Sequence, residues 1–305
     1  MTAIAVAQQQ RARSFELRAA LDLARLYNST SRPEDAHALL ASALKGFSPT
    51  PELSEIEQAQ ALLAALAETD KVKNAAASRQ GRLQLQTDYG QALLWSRGFG
   101  SEEAKAALDR ALELAAGADS AAARFSAYYG KWLSCAARGE LGLARQIAER
   151  FLREAKIEGR MFEAAVASRS LGLNCFWQGD FNEAKATLEE TLRLCDAQQD
   201  SQVNVSFGSD TVALAKSFLA LTTWVLGEVT RARVLIGEAT ARGVETGHTP
   251  TLVTAYWCKA LLEMLRGDAD GASRDATRVI ELSREYGLGH YLAHGMVCFG
   301  WARTS

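Results

Sequence analysis

Apolar residues along this chain recur at the spacing of helix faces, and short polar phrases interrupt them at a regular interval. The phrases are Gly139-Glu-Leu-Gly-Leu-Ala144, Gly179-Asp-Phe-Asn-Glu-Ala184, Gly227-Glu-Val-Thr-Arg-Ala232 and Gly267-Asp-Ala-Asp-Gly-Ala272. Their glycines stand 40, 48 and 40 residues apart. A fixed interval of this size marks stacked supersecondary units, none of which can bury its apolar face alone. Around Ala184, Leu171, Gly172 and Cys175 lie upstream, and Leu188 and Thr191 lie downstream. Small residues stand where two helices would cross closely, and larger apolar residues flank them. Each unit therefore predicts a helix, a Gly-Asp or Gly-Glu turn, and a second helix. The glycine suits the left-handed C-terminal position of the first helix. The acidic residue then sits near the N-terminus of the second, where its charge complements the helix dipole.

Aligning Ala36, Ala104, Ala144, Ala184, Ala232 and Ala272 extends the pattern to six units. The first supplies Leu23, Ala24, Tyr27, Ala36, Leu40 and Ala43 in matching slots, followed by Pro49. The pattern resembles the tetratricopeptide repeat, a helix–turn–helix unit of about 34 residues. Here the period is 40, so the helices or the linkers are longer. Two-helix HEAT-type repeats share that length, but the Leu-Gly and spaced-alanine slots favour the tetratricopeptide class. An eight-residue excess between the fourth and fifth units coincides with the polar stretch Asp200 to Asp210, which reads as a loop.

The expected architecture is all-α, a right-handed superhelical solenoid of tetratricopeptide-like hairpins with a period of about 40 residues. Residues 1–305 form one such array: a first unit over 1–50, extra helices or a connector over 51–82, five further units over 83–285, and an incomplete seventh over 286–305. Residues 2–10 read as helix-like, and Pro49 and Pro51 as a break. Phe299-Gly300 falls in the Leu-Gly slot of the seventh unit. An apolar face left there predicts a piece of a longer chain, or pairing of two copies through terminal helices.

Composition narrows the function. The net charge of −2 comes from 34 basic and 36 acidic residues without a long single-sign run, whereas a phosphate backbone needs a basic stripe. The longest stretch free of Asp, Glu, Lys and Arg, Tyr286 to Ala302, holds two histidines and four glycines, a poor membrane span. No secretory signal opens the chain, so a cytoplasmic location is expected. Cys135 and Cys175 are 40 apart, as are Cys258 and Cys298, and Cys195 stands apart. Without a C-x-x-C spacing they read as buried small residues in a reducing compartment.

Catalytic chemistry finds no foothold. The one Gly-Lys pair, Gly130-Lys131, precedes Trp132 and lacks the phosphate-binding pattern. His290 and His294 would share a helix face, but no third metal ligand is near in sequence. No catalytic residue, metal or cofactor is assigned. Recognition has better candidates, on the first helix of each unit. One row holds Tyr89, Tyr129, Arg169, Ser217 and Trp257; a second holds Phe176, Trp224 and Met264, with Trp177 and Leu265 beside them. Aromatic and arginine side chains anchor recognition surfaces, although aromatics at this spacing also pack between units. Arg169 is expected to face solvent, since a charge in that slot has little reason to be buried. Ser209 and Asp210, in the inserted loop, are a second candidate.

Several stretches carry a wider resemblance: Ala12 to Ala20, Pro33 to Leu40, Gly46 to Pro51, Leu83 to Leu93 with Arg97 to Gly100, and Phe207 to Asp210 ahead of Phe218 to Gly227. They resemble the C-terminal tetratricopeptide region of large bacterial signalling proteins. Those proteins join a class III adenylate/guanylate cyclase domain, or a DNA-binding domain, to a predicted ATPase and then to these repeats. The resemblance implies a regulatory or scaffolding segment that binds a protein, a peptide or a small-molecule effector in its groove. The alternative it leaves open is one portion of a cyclase acting only in cis. No position matches that family's catalytic residues, so none is carried over.

Overall fold

Alanine-rich segments punctuated by glycine give fourteen helices and no strand among the described residues. A computed structural model describes residues 4, 7, 12–29, 33–45, 47, 54–68, 75–116, 120–196 and 207–304. Most of the stretch 2–10, Pro49, Pro51 and residues 200–206 of the inserted loop lie outside them. The chain divides into two compact units, Met1–Arg138 and Gly139–Ser305.

The first unit contains α1 (Arg13–Ser29), α2 (Pro33–Leu44), α3 (Ser54–Glu68), α4 (Ala75–Arg97), α5 (Glu102–Ala115) and α6 (Ala121–Ala137). Leu17, Leu21 and Ala24 of α1 pack with Ala36 and Leu40 of α2 and with Ile56 and Leu63 of α3. Helix α4 starts at Ala75, inside the stretch read as extra helices or a connector, and runs unbroken through position 83. Leu108 of α5 lies where Cβ atoms on Gly90 of α4 and Gly130 of α6 would be, at 2.7 and 2.8 Å. Gly130-Lys131 thus lies mid-helix, with Lys131 buried and paired to Asp109.

The second unit contains α7 (Leu141–Ile157), α8 (Met161–Gln178), α9 (Phe181–Asp196), α10 (Thr211–Val225), α11 (Val229–Thr246), α12 (Thr249–Arg266), α13 (Ala269–Glu285) and α14 (Gly289–Thr304). Neighbours in sequence pack together, and α8 also packs on α10, α10 on α12, and α12 on α14. Among the described residues, α7, α9, α11 and α13 make no such contact with one another. The even-numbered helices therefore form the close-packed row. Their sequences agree: α8 is buried continuously from Glu163 to Cys175. Helix α7 instead buries one stripe, Ala144, Ile147, Ala148, Phe151 and Ala155, as an outer amphipathic helix should. The outer helices are linked by ion pairs, Arg145–Glu183, Lys185–Glu228 and Arg231–Glu189. Lying at the surface with water still in reach, these contribute little stability.

The 40-residue period comes from helix length. Glycines with positive φ recur at 139, 159 and 179, and again at 227, 247, 267 and 287. Helices α7, α8, α11, α12 and α13, of 17 or 18 residues, each fill one 20-residue half together with their turns. Left-handed backbone at these turns admits glycine without the Cβ penalty, and the Gly179 and Gly267 amides satisfy the last carbonyls of α8 and α12.

The Leu-Gly slot has a steric purpose. A Cβ on Gly172 of α8 would lie 2.7 Å from Leu188 Cγ and 3.4 Å from the Leu188 backbone nitrogen. Leu188 is fully buried and has nowhere to move. Glycine to alanine within an exposed helix gains about 1 kcal/mol. Gly172→Ala is expected to reverse that sign and lose about 1–3 kcal/mol through overpacking, as read by urea denaturation. A stabilised variant would show that α8 and α9 are not locked at this crossing.

Candidate functional site

The close-packed row of the second unit carries few charges. Lys216 is the one charged residue of α10 and Arg303 the one of α14, while α13 is rich in Asp, Arg and Glu. Two ladders run across this row, one aromatic and one polar.

The aromatic ladder centres on Phe218 of α10, which is buried. Phe176 and Trp177 of α8 meet it edge-on at centroid distances of 5.5 and 5.9 Å. Trp257 of α12 meets it from the other side at 6.2 Å, and His294 of α14 meets Trp257 at 4.4 Å. His290 lies 4.4 Å from His294. Edge-to-face packing of this kind is favourable for aromatic quadrupoles. Burial of the ring, and second the neighbouring His294 imidazole, push His290 down to about 4 although the residue as a whole is exposed. Near neutral pH it joins the row as an uncharged ring. Trp177 is 37% exposed, and Val225 and Leu265, in the same position of the next two repeats, are 45% and 53% exposed. An accessible apolar line therefore borders the ladder.

The polar ladder ties the middle of α8 to the N-terminal parts of α10, α12 and α14. Arg169 of α8 donates from Nη1 to the Ser209 carbonyl at 3.4 Å. The Asp210 backbone N–H donates to Thr251 Oγ1 of α12 at 2.9 Å. The Thr254 hydroxyl donates to the Pro250 carbonyl and lies 2.9 Å from the Tyr291 hydroxyl of α14. Asp210 also caps α10 by accepting from the Ala213 N–H at 2.7 Å. Its two carboxylate oxygens take Arg242 Nε and Nη2 of α11 at 2.6 and 2.8 Å, a bidentate pair. Just upstream, Phe207 packs on Phe151 of α7 and Phe162 of α8.

The expected site residues separate accordingly. Phe176, Trp177 and Trp257 come together around Phe218. Arg169 and Ser209 also meet, but not on a solvent face: Arg169 is fully buried, so its expected exposure is overturned. The planar guanidinium can enter the interior because the loop end brings a carbonyl to it. Ser209 and Asp210 are buried as well, with the Ser209 hydroxyl donating to the Gly208 carbonyl. The loop end is an internal clamp rather than an exposed edge. Ser217 is buried and donates to the Ala213 carbonyl. Trp224 is half-buried near the end of α10, and Met264 packs against Ala260, Ala276 and Cys298. Tyr89 and Tyr129 belong to the first unit. Tyr89 packs on the cluster of Leu93, Phe99 and Leu108, and Tyr129 stacks on Trp132 at 5.7 Å.

Cys135, Cys175, Cys258 and Cys298 are buried free thiols. Burial pushes Cys175 and Cys298 up to about 11. Among the described residues there is no group of three or more His, Cys, Asp or Glu placed to hold a metal. No described helix is long and apolar enough to cross a membrane.

No protein-family model matches the sequence, and no curated protein sequence matches it. The fold does have solved counterparts. The chain superposes on the apo form of RapI with a TM-score of 0.54 at 9% identity, covering 95% of this chain and 100% of that one. It superposes on PH0952 from Pyrococcus horikoshii, a signal transduction ATPase with numerous domains and a tetratricopeptide repeat sensor, with a TM-score of 0.57 at 14% identity. That match covers 95% of this chain but 42% of the ATPase, less than half of its length. These likenesses agree in fold class, an all-α solenoid of tetratricopeptide-like hairpins.

Proposed function

We propose that the chain is a non-catalytic sensor or scaffold module of the cytoplasm, which receives a protein or peptide on the even-helix row of residues 139–305. The observation that carries this reading is the aromatic ladder of Trp177, Trp257 and His294, partly exposed around the buried Phe218, on a surface poor in charge. Aromatic rings already held by their neighbours lose little freedom when a partner lands on them. A small-molecule effector would use the same rings. The ATPase with a tetratricopeptide repeat sensor supports a place for this chain as the regulatory part of a signalling protein. The reading as one portion of a nucleotide cyclase rests on the sequence resemblance alone. The size of the native product in its source cells separates a free-standing repeat protein from either.

The test is a selection of displayed random peptides on the intact chain, followed by calorimetric titration of the selected peptides. Trp177→Ala together with Trp257→Ala is expected to weaken binding at least tenfold, as loss of aromatic anchors does, while helicity by circular dichroism is kept. Peptides that bind the double variant as tightly as the native chain would place recognition elsewhere.

A further inference from the structure

His248 precedes α12 and caps it through its side chain. Its Nδ1 faces two groups of the same residue, the Thr251 backbone N–H at 3.4 Å and Thr251 Oγ1 at 2.8 Å. The backbone amide can only donate, so Nδ1 must present its lone pair, and the ring carries its hydrogen on Nε2. Thr251 Oγ1 in turn accepts from the Asp210 N–H at the head of α10. Its own hydrogen is therefore free to point at Nδ1. One imidazole lone pair thus completes a chain from the α10 cap to the first turn of α12, at a buried threonine.

We propose that His248 is a proton-operated cap, which closes the N-terminus of α12 at the Thr251 N–H when neutral and opens it when Nδ1 is protonated. An added hydrogen on Nδ1 would face the Thr251 N–H donor to donor, and the hydroxyl could keep its contact only by turning its own hydrogen away. The charge acting directly on the ring is Asp210, which favours the imidazolium. That carboxylate is already engaged by Arg242 of α11, which also feels Glu245 of α11 and Cys195 of α9. Burial outweighs Asp210 and holds the imidazole below its ordinary value. The native state then binds fewer protons than the unfolded chain. The cap is fully effective above about pH 6.5, the unperturbed histidine value, and is lost as pH falls through the lower native value. Helix α12 carries Trp257 and meets Tyr291 of α14 through Thr254, so the proton acts on the row that bears the aromatic ladder.

The experiment reads amide exchange protection at Thr251, corrected for intrinsic exchange, between pH 7.5 and 5, in the native chain and in His248→Asn. Asparagine caps helices without titrating. Protection in the native chain is expected to fall roughly five- to tenfold on acidification, the scale of a lost N-cap, and to stay level in His248→Asn. Equal loss in both, or no loss in the native chain, overturns the proposal. Should His248→Asn fold poorly, nitrogen chemical shifts of the native ring decide. A hydrogen on Nε2 and a midpoint below about 6.5 support the cap; a hydrogen on Nδ1 or a higher midpoint refutes it.

Discussion

Asp210→Ala is expected to destabilise the 139–305 unit by about 3 kcal/mol or more, the scale of a broken buried ion pair. The carboxylate is nearly inaccessible, and one substitution removes both its hydrogen bond to Ala213 and its bidentate grip on Arg242. The Arg242 side chain is 24% exposed, so water recovers only part of what it loses. Asp210→Asn separates the two contributions. The amide oxygen can still cap α10, a contribution of about 1 kcal/mol, while the charge opposite Arg242 is gone. The expected order of urea midpoints is native, then Asn, then Ala. An alanine variant within about 0.5 kcal/mol of native, the range of an ordinary surface change, would mean that the clamp at the end of the inserted loop is not holding α10 to α11.

The repeat was legible because its first turn repeats in letters. Gly139-Glu, Gly179-Asp, Gly227-Glu and Gly267-Asp keep both the left-handed residue and the acidic one. The alternate turns use the same backbone at Gly159, Gly247 and Gly287, but their neighbours, Glu-Gly-Arg, Thr-Gly-His and Tyr-Gly-Leu, share nothing else. The 20-residue half-period was therefore hidden behind the 40-residue one.

The site was legible as a line but not in depth. Register placed Arg169, Ser217 and Trp257 in one slot of successive repeats, yet the first two are buried and the third is half-buried. What decides their burial is distant in sequence. The Ser209 carbonyl that draws Arg169 inward is 40 residues away, and no periodicity encodes it. Phe218 does not stand out in the sequence for a simpler reason: the small Ser217, one position before it, occupies the repeat slot. His290 and His294 read as a failed metal pair, although an imidazole at four-residue spacing can equally end an aromatic row.

Phe218 is also where stability and recognition can be separated. Phe218→Ala removes a ring met by Phe176, Trp177 and Trp257, and is expected to lose about 3–5 kcal/mol through the cavity left in a close-packed core. Such a loss would impair any function and so says nothing specific about binding. Phe218→Leu refills most of that volume and should lose only about 1–1.5 kcal/mol. It nevertheless removes the flat edge-to-face partner of both tryptophans. In the leucine variant the indole emission of Trp177 and Trp257 is expected to shift. Peptide affinity should fall toward that of the double tryptophan variant while the unit stays folded at room temperature. If affinity and emission both stay native, the tryptophans are oriented by other neighbours and the ladder is packing rather than a recognition surface. A folded leucine variant that loses binding would show that the buried ring sets the two tryptophans in place, as preorganised anchors require.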